Sequence, residues 1–216
     1  MIKILYEDNH VIVVVKPINV PVQLDASKDE DLLTMLKKYL KEKYNKLGNV
    51  YLGLIHRLDR PVGGVMVFAK TSKAASRLSE QVRTHQIIKK YYAIVEGKFD
   101  CHFGSMRDKL LKDNKTNMTI VSGEGKEAIL NYKVLDFKNG YSLADIDLVT
   151  GRSHQIRVQF SSRNHPLYGD QRYNMRSKVG EQIALFSYYL AFNHPVTKEK
   201  MEFVEDVPKG YPWSLF

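Results

Sequence analysis

Apolar and polar positions alternate in recognisable blocks along most of this chain. Ile2–Tyr6 and His10–Val15 are short apolar runs joined by Glu7-Asp8-Asn9, a pattern that predicts a hairpin with a polar turn. Lys16-Pro17 ends the second run. Ser27-Lys28-Asp29-Glu30 has the spacing of a capping box, and Leu32, Leu33, Leu36, Tyr39 and Leu40 then fall on one helical stripe, with Gly48 as the expected stop. Tyr51–Ile55 reads as a short strand, and Val65–Ala69 is a continuous apolar run of strand length, as expected of a strand buried on both faces. Thr71 or Ser72 can cap a helix whose stripe is Ala75, Leu78 and Val82. From Ile87 to Glu96 the period returns to two, which sends Tyr91 and Tyr92 to opposite faces of a strand.

The segment from Phe99 to Lys126 is polar and basic, and predicts an excursion of loops and short strands, either a binding surface for a polyanion or a plainly solvated face. Ala128–Phe137 and Tyr141–Val149 flank Lys138-Asn139-Gly140, where Asn-Gly is a strong hairpin signal. Leu185–Phe192 and Met201–Val204 read as a closing strand pair, followed by a tail with Pro208, Pro212 and Trp213. Most strands are joined by hairpins, so the expected class is α+β. No linker or repeat interrupts it, and residues 1–216 are expected to be a single domain.

Charge narrows the partners. The net charge of +9 favours a polyanion such as nucleic acid, or an anionic surface. No stretch approaches a membrane span, and no signal peptide is evident, so a cytoplasmic location without membrane association is expected. Cys101 is the only cysteine, which excludes an intrachain disulfide and a cysteine-based zinc site.

Two clusters carry candidate chemistry. In the first, His56, Arg57, Asp59 and Arg60 precede Pro61, Gly63 and Gly64, so a carboxylate between two guanidiniums stands in a shaped turn that leads into core. A surface ion pair of Asp59 with Arg57 or Arg60 is the plain alternative. The second cluster is Thr150-Gly151-Arg152-Ser153-His154-Gln155-Ile156-Arg157, again cations and a His beside a Gly turn at a strand end. Its plain alternative is a capped helix start with surface arginines.

Together these segments resemble the RluA-type pseudouridine synthases. His56-Arg57-Leu58-Asp59, and then Gly64 to Thr71, is similar to the catalytic motif of that family, with Val62-Gly63 where many members carry a small hydroxyl residue before a single Gly. Lys89-x-Tyr91-x-Ala93 and Thr150–Arg157 are similar to its next two signatures, and His165-Pro166-x-x-Gly169-Asp170 to a further one. The resemblance spans about Tyr6 to Val204 and is to a form without an N-terminal S4 RNA-binding module.

It implies the pseudouridine synthase catalytic fold, a mixed and mostly antiparallel central sheet flanked by helices and loops, with residues 1–216 as a single catalytic domain. It implies isomerisation of uridine to pseudouridine in structured RNA, a tRNA or large-subunit rRNA stem-loop, with the target base flipped out and no metal, nucleotide or other cofactor. It implies Asp59 as the catalytic aspartate, Tyr91 as the active-site tyrosine and Arg157 as the arginine that pairs with the carboxylate. RNA contacts would come from Arg57, Arg60, Lys89 and Arg152, with His154 and Gln155 shaping the loop or touching RNA. A small tRNA arm is the preferred substrate and a monomer the default state. A non-catalytic RNA-binding or RNA-folding protein of the same fold is the main alternative. A carboxylate hydrolase is the other, and it needs a second acid, for which Asp145, Asp147 and Asp170 lack an equivalent cationic turn.

Overall fold

The chain folds into β1 (Lys3–Glu7), β2 (Val11–Lys16), α1 (Leu32–Lys43), β3 (Gly53–Leu54), β4 (Gly63–Ala69), α2 (Ser72–Arg83), β5 (Ile88–Glu96), β6 (Phe103–Asp113), β7 (Met118–Val121), β8 (Lys126–Lys138), β9 (Tyr141–Leu148), α3 (Gln155–Ser161), β10 (Leu185–Asn193) and β11 (Lys200–Val204), then a 3-10 turn at Trp213–Leu215. The structure, a computed structural model, describes residues 2–113 and 115–216. Strand pairing is mixed and mostly antiparallel, with three α-helices among the described residues, as the α+β expectation requires.

Contacts group the chain into two compact units. The first comprises Met1–Ile87 with Tyr189–Glu205, the second Ile88–Tyr188 with Asp206–Phe216. In the first, β2 pairs antiparallel with both β1 and β4, and β4 also pairs with β3. Every residue of β4 is buried, as its unbroken apolar run predicts. Val11, Val13, Val65, Val67, Leu78, Leu190 and Phe192 form the core on one side of this unit. In the second, β5, β9, β8, β6 and β7 pair in that order, each with the next and all antiparallel. The β8–β9 hairpin turns at Asn139 and Gly140, both with positive φ (52° and 83°), the geometry of a tight primed turn.

Four local expectations are corrected. Helix α1 is capped by Asp31, not by the Ser27 box: the Asp31 side chain accepts from the Thr34 N–H at 3.0 Å, while the Ser27 hydroxyl bonds Asp25. The start is set from outside the helix, because Leu32 N and Leu33 N donate to the carbonyls of Pro21 and Val22. The same helix stops at Lys43, five residues before Gly48, because Asn45 takes the left-handed conformation (φ 48°) and Lys46 N closes onto the Lys41 carbonyl at 3.0 Å. Helix α2 is capped by Thr71 and buries Ala74, Leu78 and Gln81; Ala75 and Val82 flank that stripe. The segment from Phe99 to Lys126 carries β6, an eleven-residue strand whose buried positions are Met106 and Leu110, rather than short strands alone; the short β7 follows it.

Glu7 shows what ties α1 to the sheet. Its buried carboxylate accepts from Lys70, Lys43 and Tyr44 at 2.7–2.8 Å and from Tyr39 at 3.1 Å. Burial alone would raise its pKa, but the bonds from Lys43, Lys70 and Tyr44 outweigh it and hold the pKa down at about 2. A carboxyl held below its ordinary value stabilises the fold above that value, and the gain fades as pH falls from about 4.5 towards 2. Urea unfolding of Glu7→Gln should therefore show roughly 3 kcal/mol less stability than the parent at pH 7, with the gap closing across that window. A gap that is constant with pH would exclude this origin.

Candidate active site

The turn that carries Asp59 is built from below by β2 and β4. Lys16, the last residue of β2, pairs across the ladder with Gly64 and is almost wholly buried. Gly64 has φ +130°, a conformation that bars a side chain at this point. Lys16 Nζ donates to the carbonyls of Pro17 (2.8 Å) and Arg60 (3.0 Å), which pins the loop from one side. Burial pushes the Lys16 pKa down to about 7; the Asp59 charge pulls it back up, and Arg60 pushes it further down. From the other side, His56 Nε2 accepts the Val67 N–H at 3.3 Å, taking over one step beyond the β3–β4 pair Leu54–Phe68. Within the loop, Val62 N–H donates to the Asp59 carbonyl at 3.0 Å, and Leu58 is buried beneath it.

Asp59 is thus half-buried on a braced turn. Neither neighbouring arginine pairs with its side chain. Arg60 is exposed and ion-pairs with Asp29, and Arg57 is exposed with no ion pair among the described residues. The plain surface-pair alternative for Asp59 therefore loses both of its cations.

The remaining residues singled out from the sequence lie in the second unit. Tyr91 is buried on β5 opposite Ile146 of β9. Tyr92 points to the other face, where it stacks on Tyr188 with ring centroids 3.9 Å apart, so the period-two expectation holds. Lys89 shares the Tyr91 face.

The loop between β9 and α3 is locked by Gln155. Its buried side chain accepts from the Thr150 hydroxyl (2.8 Å) and the Arg152 N–H (3.0 Å) and donates to the Ile129 carbonyl (3.1 Å). His154 enters α3 in the left-handed conformation (φ 51°), and its Nδ1 shares a 2.8 Å hydrogen bond with the Tyr173 hydroxyl. Arg152 is exposed, with Nε on the Glu127 carbonyl at 2.8 Å.

Arg157 is 4% exposed on α3. Its Nε and Nη2 donate to the two oxygens of Asp170 at 2.8 and 2.6 Å, a bidentate pair in which Asp170 is also buried. The Tyr173 ring lies 5.1 Å beneath the guanidinium, and Asp170 accepts further bonds from the Arg172 and Tyr173 N–H groups. Gly169, with φ +68°, makes the turn into Asp170 possible, since a Cβ there would collide with the Gln182 carbonyl. Arg157 is therefore held as an oriented fork.

Sequence reasoning missed two supporting residues. Lys16 stands in the sequence as the end of a strand, and Asp170 as the last residue of the His165–Asp170 motif. Among the described residues no group of three or more His, Cys, Asp or Glu could hold a metal, and no helix is long and apolar enough to cross a membrane.

Comparison with known proteins places this arrangement in a family. Residues 10–162 match the family model described as RNA pseudouridylate synthase. The chain is 33% identical over 222 residues to a ribosomal large subunit pseudouridine synthase D of Zymomonas mobilis, covering 96% of this chain and 70% of the relative. It is 34% identical to the protein of the same name in Vibrio cholerae, covering 96% and 68%. Among solved structures, human RNA pseudouridylate synthase domain containing 4 superposes with a TM-score of 0.81 at 24% identity, over 96% of this chain and 89% of that one. Human RNA pseudouridylate synthase domain containing 1 gives 0.78 at 21%, over 100% and 86%. The two structural likenesses carry the fold, and the family model and sequence relatives carry the rest: the chain belongs to the RNA pseudouridylate synthase family, and its activity class is that of an RNA pseudouridine synthase, an isomerase.

Proposed function

We propose that this chain isomerises uridine in structured RNA with Asp59 as catalytic carboxylate, Tyr91 and Arg157 completing the site, and the target base flipped out of its stack. The observation that carries the reading is the bracing of Asp59: a single carboxylate on a half-buried turn, held by the buried ammonium of Lys16 and by His56. In the reaction the C1′–N1 bond breaks with its electron pair going to the uracil, the uracil turns, and C1′–C5 forms; C5 then loses its proton and N1 gains one. Asp59 either attacks C1′ or removes the C2′ proton. An aromatic ring at Tyr91 can hold the uracil by stacking while it turns. Arg157, whose guanidinium is oriented by Asp170, is assigned as the cation of the reaction. The reactive atoms are inaccessible inside stacked RNA, which is why extrusion of the base belongs to the proposal.

Large-subunit rRNA is the substrate favoured by the names of the relatives, ahead of the tRNA arm that the sequence alone suggested. Exposed Arg57 and Arg152 are assigned to phosphate contacts, and Gln155 and His154 to the shape of the loop. The whole chain, 1–216, is taken to act as one catalytic domain and as a monomer.

Release of tritium from 5-tritiated uridine tests the activity, using transcripts of large-subunit rRNA and of tRNAs in parallel. Release from rRNA alone is expected; release from tRNA alone would overturn the substrate assignment, and release from neither would overturn the activity. A primary isotope effect with 2′-deuterated uridine would assign Asp59 to C2′, and its absence to C1′.

Lys16 is a positioning residue in this reading. Lys16→Met removes both hydrogen bonds to the loop carbonyls and should lower the single-turnover rate about a hundredfold, the scale of a displacement of about 1 Å at a reacting group. RNA affinity should stay within about threefold. Equal losses in rate and affinity would indicate a collapsed loop instead.

A further inference from the structure

We infer that Lys89 anchors a phosphodiester of the substrate RNA next to the modified uridine. This rests on the reading above and adds to it a specific anchoring point for the strand. Lys89 lies two residues before Tyr91 on the same face of β5, so a group bound at its ammonium is one strand step from the ring assigned to the uracil. Its side chain reaches the β9–α3 loop at Gly151: a Cβ built on Gly151 would lie 3.4 Å from Nζ. The residue beside the ammonium is thus one that leaves the approach open, within a loop whose form is fixed from behind by Gln155.

The charge of Lys89 is not balanced within the protein. Burial lowers its pKa, and the one counter-charge that opposes this is Asp147. Asp147 is the cross-strand partner of Lys90, so it projects from the opposite face of the sheet and acts through it. Among the described residues, Lys89 Nζ has no hydrogen-bond or ion-pair partner. The other mostly buried lysines differ: Lys16 bonds two carbonyls, and Lys70 bonds Glu7 and the Asp8 carbonyl. A partly desolvated cation without a partner is costly in the free protein. An RNA phosphate supplies the missing anion, and it does so where the strand must be held for Tyr91 to meet its base.

The test compares Lys89→Met and Lys89→Arg with the parent, on whichever transcript the parent modifies. Binding is measured from 50 to 500 mM salt, and heat unfolding in the absence of RNA. Loss of one phosphate contact should reduce the slope of log affinity against log salt by about 0.7–0.9 in Lys89→Met. The affinity gap to the parent then widens about five- to eightfold from high to low salt. Lys89→Arg should keep the parent slope. The free Lys89→Met protein should melt at or above the parent temperature, because an unbalanced cation has been removed. An unchanged slope in Lys89→Met, or a lower melting temperature with a parallel loss of binding at all salts, would overturn the anchor while the parent remains an active enzyme. A parent that releases no tritium from any transcript and binds none would instead overturn the reading on which the anchor rests.

Discussion

Asp59→Asn is expected to release no tritium above background, a fall of at least about a thousandfold in single-turnover rate, while RNA affinity stays within about threefold of the parent. The substitution is close to isosteric, and several of the bonds that brace the loop run through the backbone and Lys16 and not through the carboxylate. Val62 N–H donates to the backbone carbonyl of residue 59, and Lys16 donates to the carbonyls of Pro17 and Arg60. The turn should therefore survive, with only its charge removed. Loss of that charge also removes the upward pull on Lys16, so the Lys16 pKa should fall below its parent value of about 7. Titration of the lysine followed by NMR reads this directly and reports on the loop without any RNA. Removing a negative charge from a chain of net +9 gives no reason for weaker RNA binding. Activity within tenfold of the parent, in a protein whose Lys16 pKa has dropped, would remove Asp59 from the chemistry while leaving its place beside Lys16 intact.

Local signals were legible where one strand or turn explains itself. The β8–β9 hairpin is written in Asn139-Gly140, whose two positive φ angles few other dipeptides accept. The buried strand β4 is written in its run of apolar residues. The strand β6 was misread because its outward positions Ser105, Arg107 and Lys109 are polar, and one side of the alternation, Met106 and Leu110, is too sparse to outweigh them. The cap of α1 was misplaced because the first turn is set by Pro21 and Val22, eleven residues upstream.

The same division runs through the site. Asp59, Tyr91 and Arg157 stand out by motif. Lys16 does not, because its burial follows from pairing with Gly64, 48 positions on, and a lysine before a proline otherwise reads as the end of a strand. The sequence does not mark Asp170 as the partner of Arg157, because nothing local shows that its carboxylate closes on that guanidinium.

That pair gives the second large effect. Arg157→Lys should lower the single-turnover rate by about a hundredfold or more, because an ammonium cannot reproduce two parallel N–H···O bonds and the flat face set over Tyr173. Asp170→Asn attacks the same fork from behind. It removes the carboxylate to which a guanidinium only 4% exposed is bonded at two points, and breaking a buried pair in this way costs about 3–5 kcal/mol. In a chain of this size that corresponds to a fall in Tm of roughly 10 °C. The double change Arg157→Met with Asp170→Leu separates support from chemistry. With both charges gone the desolvation penalty goes too, so much of the lost Tm should return. Activity should not return if Arg157 takes part in the chemistry as proposed, because a methionine carries no charge. If the double variant regained both stability and tritium release, Arg157 would be a buried strut and not part of the chemistry.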